Sequence, residues 1–319
     1  MTGTPPQDRF RGALLGTAVG DALGAPFEGA ADVRPRDLEH VERDAGLLRW
    51  TDDTAMTLAA AESLAEHGGF DGAAMAHRFA EEHRREPWRG YGAGPPQIFA
   101  AIRAGAPWDE PARALFGGSG SFGNGAAMRA APAGLLAYGA LPAAARLARQ
   151  QAAITHTHEQ GLQGAALQAC AVAWLVCAQP TEGSDSPTRL LDEIRGYAPD
   201  RELQEGLTAI TALRPDADPT SVVAALGNGV AAVESVPAAL WAFVRHPRSF
   251  VDTVRAAITL GGDTDTIAAM AGALSGAFLG CDAIPRSWRE RLEARERLVA
   301  AADRLRAAAG RASSAAATD

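Results

Sequence analysis

Two short segments set oxygen ligands at the mouths of apolar helical runs. Gly261-Gly262-Asp263-Thr264-Asp265-Thr266 leads into Ile267-Ala268-Ala269-Met270-Ala271-Gly272, and far upstream Trp50-Thr51-Asp52-Asp53-Thr54 repeats the same chemistry. Carboxylates and hydroxyls without histidine or thiolate form the ligand set of hard cations such as Mg²⁺, Mn²⁺ or Ca²⁺. Asp and Thr are also ordinary N-caps, because they accept orphan N–H bonds and suit the positive end of the helix dipole. Capping explains one acidic residue per helix start and leaves the second without a role. Carboxylates this crowded repel one another unless a cation or proton lies between them. The two helix starts are expected to meet around metal.

A third segment, Gly117-Gly118-Ser119-Gly120-Ser121-Phe122-Gly123-Asn124-Gly125-Ala126-Ala127-Met128-Arg129, is a glycine-rich loop running into an Ala-rich helix. Free N–H groups in such a loop can face an anion. It matches neither the P-loop nor the dinucleotide fingerprint, and a simple flexible connection is the alternative. His156 and His158 stand two apart, poor spacing for one metal on a helix face, so zinc is disfavoured. One of them is expected to bond a ligand or cap a helix.

The elements that must carry these segments read as helices throughout. Residues 8–24 form an apolar helix on which Gly16, Gly20 and Gly24 mark a smooth stripe for close backbone approach. Asp21 on that helix needs partners if buried. A loop with Pro26 and Glu28 follows, then a polar connection over 31–48. Helices are expected over 53–67, 71–85 and 97–104, with 89–96 a Gly/Pro loop. Two more occupy 141–178, joined near His156. Amphipathic helices fill 187–230, with turns at Pro180, Pro199 and Pro215; the last ones cover 237–246, 249–260, 263–280 and 285–308. No alternation or hairpin signal appears. The fold class expected is all-α, a compact single-domain bundle of many short helices over 8–308, with a disordered tail from 309 to 319.

Composition narrows the function classes. The 319 residues are 47% hydrophobic, and the net charge of −8 disfavours a broad nucleic-acid face. All 30 basic residues are Arg. Three cysteines without a C-x-x-C pair fit a reduced, cytoplasmic compartment. No signal-peptide core or bilayer-length apolar run is present, so no membrane partner is expected.

Four motifs occur in order: Gly20-Asp21-Ala22-Leu23-Gly24 with Glu28, Thr51-Asp52-Asp53-Thr54, Gly123-Asn124-Gly125-Ala126-Ala127-Met128-Arg129, and Gly261-Gly262-Asp263-Thr264-Asp265-Thr266. Together they resemble the ADP-ribosylglycohydrolase family, nearest its ADP-ribosylserine hydrolase branch, over roughly residues 8 to 305. The resemblance implies an all-α fold with two Mg²⁺ (or Mn²⁺) ions at the base of a cleft. By matched position it makes Thr51, Asp52, Asp53, Asp263, Asp265 and Thr266 the metal ligands. Glu28 matches the catalytic glutamate, carried on a loop that gates the site. Gly120, Ser121, Phe122, Gly123, Asn124 and Gly125 match the segment around the diphosphate and ribose, with Phe122 replacing a tyrosine that stacks on adenine. His156 matches a ligand-contacting histidine, and His158 falls outside the site.

The implied activity is metal-dependent cleavage of the glycosidic bond of ADP-ribosylated proteins, at serine, with poly-ADP-ribose or O-acetyl-ADP-ribose as further substrates. The implied products include free ADP-ribose, and a monomer is expected. An ADP-ribosylarginine hydrolase is the alternative within the family. The absence of an acidic residue over 87–107 favours serine, since a guanidinium leaving group would draw one. A non-catalytic ADP-ribose-binding protein would have no need of all six ligand oxygens. A di-metal phosphohydrolase would share the carboxylates but release AMP.

Overall fold

A computed structural model describes residues 6–179 and 186–316 of the chain. Helix α1 (Gln7–Gly24) is followed by α2 (Pro35–Arg43), α3 (Asp52–His67), α4 (Gly72–Arg85) and α5 (Pro95–Arg103). After the glycine loop come α6 (Ala131–Leu136), α7 (Leu141–Ala152), α8 (Glu159–Leu175), α9 (Ser186–Ile194), α10 (Arg201–Ala212) and α11 (Pro219–Leu226). The chain then forms α12 (Ala232–Arg245), α13 (Phe250–Ile258), α14 (Thr264–Leu279), α15 (Arg286–Arg291) and α16 (Arg295–Ala316). Among the described residues only isolated β-bridges occur, Leu48 with Leu292 and Gly123 with Ala231. No helix there is long and apolar enough to cross a membrane. The all-α single domain expected from the sequence is what forms.

Helices α1 and α14 run side by side at the centre, and both are buried along almost their whole length. Neither has a one-sided apolar stripe, because a helix enclosed on all sides needs none. Their backbones touch where α1 presents its glycines. A β-carbon at Gly20 would overlap the Ala268 carbonyl, and one at Gly24 would lie 2.5 Å from the Thr264 oxygen. Gly16 and Gly12 face Gly272 and Gly276 in the same way. Close approach brings the end of α1 onto the start of α14, where the Thr264 hydroxyl donates to Gly24 O at 2.9 Å.

Asp21 performs the second fixing act. Fully buried on α1, it accepts from Thr51 N at 3.0 Å, Thr54 N at 3.0 Å and the Thr54 hydroxyl at 2.6 Å. One side chain thereby caps α3 from a neighbouring helix. The starts of α3 and α14 are both tied to α1.

Several element boundaries differ from expectation. The polar connection over 31–48 contains α2, which buries only Leu38 and Glu42. Glu42 pairs with Arg255 of α13 at 2.5 Å, so an ion pair holds the helix where an apolar stripe would have revealed it. Helix α12 begins at Ala232, carrying Pro237 inside it, whereas Pro237 reads as a first-turn residue. The helix expected over 285–308 breaks between α15 and α16. There Leu48 N donates to Arg291 O at 2.8 Å, Glu293 N donates to Leu48 O at 3.0 Å, and Ala294 takes φ +49°. The Ala-rich helix after the glycine loop is short, starting at Ala131. Helix α16 continues past Gly310 to Ala316, so the tail expected from 309 starts as helix; residues 317–319, like Pro180, lie outside the described residues.

Because a carbonyl oxygen occupies the space beside Gly20, Gly20→Ala should lower unfolding free energy by about 1–3 kcal/mol. Denaturant titration reads this directly; an unchanged midpoint would mean that the two backbones are not held in contact.

Candidate metal centre and cleft

The starts of α3 and α14, with the loop that follows α1, bring five acidic side chains together. On one side Glu28, Asp263 and Asp265 offer carboxylate oxygens within 4.8 Å of one another. On the other lie Asp52 and Asp53, with Thr51 and Thr266. The Thr51 hydroxyl donates to Asp53 Oδ2 at 3.2 Å, and Thr266 Oγ1 donates to the same oxygen at 3.4 Å. All six sequence-expected ligands and Glu28 thus fall in one region, in two linked groups.

Capping does not account for these carboxylates. At α3 the N-cap is Thr51, whose hydroxyl accepts from Asp53 N at 3.3 Å, and Asp21 takes further N–H bonds. At α14 the N-cap Asp263 makes no side-chain cap bond, and Asp265 Oδ1 accepts from Thr266 N at 2.9 Å. Asp53 Oδ1 is buried with no partner. A buried anionic oxygen without a donor is costly unless a cation meets it.

The electrostatics agree. Burial and the neighbouring Asp21 push Asp52 up to about 8, and burial with Asp263 pushes Asp265 up to about 9. Burial, with Asp21 and Asp265, drives Asp53 well above the carboxylate range. Burial and Asp263 raise Glu28 as well. Like charges in a dry site each favour the protonated form of the other. The donor set, the orphaned oxygen and the mutual repulsion fit one or more hard divalent cations.

The turn before α14 depends on two adjacent glycines. Gly261 and Gly262 both have φ +70°, and a β-carbon at Gly261 would lie 2.6 Å from Ala30 O. Gly29 N donates to Gly262 O at 2.8 Å and Gly262 N to Ala30 O at 2.8 Å, fastening the Glu28 loop to this turn. Asn228 completes it: its carbonyl accepts from Asp263 N at 2.8 Å and its amide donates to Leu260 O at 2.8 Å.

A cleft of about 270 Å³ opens from the carboxylates. Ser121, Gly123, Asn124, Gly125, Arg129, Thr155 and His156 line it, as do Gly90 to Pro95, Phe116 and Val230. Asn124 bridges the halves: its amide donates to Asp263 Oδ2 at 2.5 Å, and its N–H donates to Val230 O at 2.9 Å. The N–H groups of Gly120 and Gly123 are likewise engaged within the chain, with Leu115 O and Ser121 Oγ. The loop therefore offers an anion fewer N–H groups than its composition suggests. Gly120 packs against Thr157, behind the wall, and Phe122 stands outside it, 52% exposed and edge-on to His158. His158 caps α8 by accepting from Gln160 N, whereas His156 faces the cleft. Burial, aided by Arg129, drops His156 to about 3, so the ring is neutral.

Sequence reasoning did not single out Tyr91, Phe116, Val230 or Asn228 as site residues. Phe116 sits at φ +53° beside Gly117 at +66°, a left-handed pair whose first member gives no compositional sign. The Gly227-Asn228-Gly229 turn was the available signal for Asn228 and Val230.

Raised carboxylates have a consequence for stability. Unfolded Asp titrates near 3.8, so the metal-free folded chain holds protons that the unfolded chain has released. Their stabilisation is complete below about pH 3.8 and is lost as pH rises through about 8 and 9. A divalent cation takes the place of those protons. The rise in Tm on adding Mg²⁺ over EDTA should therefore grow with pH across this window. Thermal denaturation at stepped pH reads it, and a constant or shrinking increment would contradict the site.

A family model described as ADP-ribosylglycohydrolase matches residues 2–315. The chain is 39% identical over 330 residues to ADP-ribosylhydrolase ARH3 of Mus musculus, covering 89% of this chain and 87% of that one. It is 29% identical over 308 residues to ADP-ribosylarginine hydrolase Tri1 of Pseudomonas putida, covering 91% and 76%. A solved ADP-ribosylglycohydrolase-related protein complex superposes with TM-score 0.74 at 32% identity, over 95% of this chain and 98% of that one. With its motifs, helical fold and acidic cleft, the chain belongs to the ADP-ribosylglycohydrolase family.

Proposed function

We propose that the protein is a divalent-metal-dependent hydrolase that releases ADP-ribose from serine side chains of modified proteins. One observation carries the reading: carboxylates without capping duties converge at two helix starts and face a cleft whose other wall holds a glycine loop, Arg129 and His156. An acidic end suits cations and ribose hydroxyls, while the opposite wall suits a diphosphate.

Thr51, Asp52, Asp53, Asp263, Asp265 and Thr266 are the residues that would hold two ions, with Mg²⁺ preferred and Mn²⁺ as the substitute. When bound, the ions supply Lewis-acid polarisation and fix the distal ribose hydroxyls. Glu28 stands at the exposed edge of the Asp263–Asp265 group, with its carboxyl raised towards the range where it can take or give a proton. There it handles a proton as the glycosidic bond opens through an oxocarbenium-like state. Ser121, Gly123, Asn124, Gly125 and His156 hold the diphosphate and proximal ribose, and Phe122 offers its exposed ring to adenine. Poly-ADP-ribose and O-acetyl-ADP-ribose would present the same ribose and diphosphate to these groups.

Two observations favour serine over arginine. The wall from Gly90 to Pro95 carries no carboxylate to receive a guanidinium leaving group. Identity to ARH3 also exceeds that to the arginine hydrolase Tri1.

Incubation with serine- and arginine-linked ADP-ribosyl peptides in Mg²⁺ tests the proposal. Release of intact ADP-ribose from the serine peptide alone is expected, and Glu28→Gln should abolish it while leaving ADP-ribose affinity within about twofold. Release from arginine alone would move the protein to the other branch, and AMP as product would indicate a phosphohydrolase. Normal turnover by Glu28→Gln would remove that residue from the chemistry.

A further inference from the structure

Beneath the glycine loop lies a cation that the metal centre does not use. Arg129 is 1% exposed, yet each of its hydrogen bonds goes to a neutral oxygen. Nε donates to Gln151 Oε1 at 2.8 Å, Nη1 to Gly125 O at 2.7 Å, and Nη2 to Gln151 O at 3.1 Å and Thr155 Oγ1 at 2.7 Å. The guanidinium also lies over the Phe79 ring at 4.8 Å. No carboxylate hydrogen-bonds the guanidinium, and the charge of Asp52 offsets its burial only in part, so a well-packed apolar residue would stabilise the core better. Its position points to a role in the cleft.

Thr155 is where that role becomes specific. Its hydroxyl is 2.7 Å from His156 Nδ1 as well as from Arg129 Nη2. A guanidinium has only donors, so Thr155 Oγ1 must accept from Arg129. Thr155 is 1% exposed, and among the described residues these are the hydroxyl's two partners. Were Nδ1 protonated, two N–H groups would converge on Oγ1 and the hydroxyl hydrogen would be buried with no acceptor. The satisfied arrangement sends that hydrogen to Nδ1 and leaves the imidazole proton on Nε2. His156 Nε2 points into the cleft beside the loop: a β-carbon at Gly125 would lie 3.3 Å from it, and one at Gly123 3.6 Å.

We infer that Arg129, acting through the Thr155 hydroxyl, locks His156 as the Nε2–H tautomer, so that the cleft presents a fixed neutral donor to the anionic part of its ligand. Arg129 and Thr155 are positioning residues, and His156 is the group that meets the ligand. The same guanidinium holds the Gly125 carbonyl, so loop and donor are set by one side chain. That the ligand is ADP-ribose rests on the function proposed above; the tautomer does not.

Nitrogen-15 NMR of the metal-free, ligand-free protein at neutral pH tests the lock. The expected spectrum has a pyridine-type Nδ1 and a protonated Nε2 for His156, assigned by loss of the signals in His156→Gln. Thr155→Val keeps the side-chain shape and removes the hydroxyl, and should give a tautomer mixture. Thr155→Ser should restore the wild-type pattern. ADP-ribose should bind Thr155→Val roughly tenfold more weakly and Thr155→Ser nearly as wild type, the scale of one hydrogen bond to a charged ligand. A protonated Nδ1 in the wild type, or a tautomer unaltered in Thr155→Val, would overturn the lock. The lock observed in a protein that binds no ADP-ribose would support it and overturn the proposed ligand instead.

Discussion

Backbone contact between α1 and α14 fixes the spacing on which the acidic centre depends. Every fourth residue of α1 that meets α14 lacks a side chain at that point, so the two helices pack at a distance no larger residue allows. Where that contact ends, Gly24 meets Thr264, one residue from Asp265. One turn earlier, Asp21 reaches sideways from the same helix and caps α3. A single rigid helix therefore sets both acidic helix starts, and neither start can drift without breaking buried backbone contacts or a buried carboxylate's hydrogen bonds.

That scaffold holds together groups that would otherwise separate. Asp52, Asp53, Asp263 and Asp265 each oppose the charging of another, and Asp53 keeps an oxygen with no donor at all. Part of the offset comes from the positive ends of α3 and α14, which both face the cluster. The remainder is left for a cation, which is how a functional site differs from a well-satisfied core. Across the cleft the sign reverses. Arg129 and a neutral, buried His156 stand behind a loop that Asn124 links directly to Asp263. The acidic wall and the glycine-loop wall are thus joined, through Asn124 and through the 228–230 turn.

Much of this was legible in the sequence because the residues concerned have strong local signatures. Paired carboxylates at helix starts, the Gly16-Gly20-Gly24 stripe and the Gly261-Gly262 turn each report a physical requirement that few other residues meet. Asp21 was legible as a buried carboxylate in need of partners, though not which partners. The rest was hidden because its cause is tertiary. Helix α2 rests on an ion pair with α13, the α15–α16 break on a bridge from Leu48, and the orientation of His156 on a threonine beside it and an arginine 27 positions earlier. Phe116 joins the cleft through a left-handed backbone that its side chain does not advertise.

The most direct test of the central claim is a Mn²⁺ titration that counts bound ions by electron paramagnetic resonance, on the wild type and on Asp53→Asn and Asp265→Asn singly and combined. Two ions per wild-type chain, fewer in each single variant and none in the combination, would mean that the helix starts pinned by α1 form one metal centre. Full occupancy in the combined variant, or no ion bound by the wild type, would contradict it.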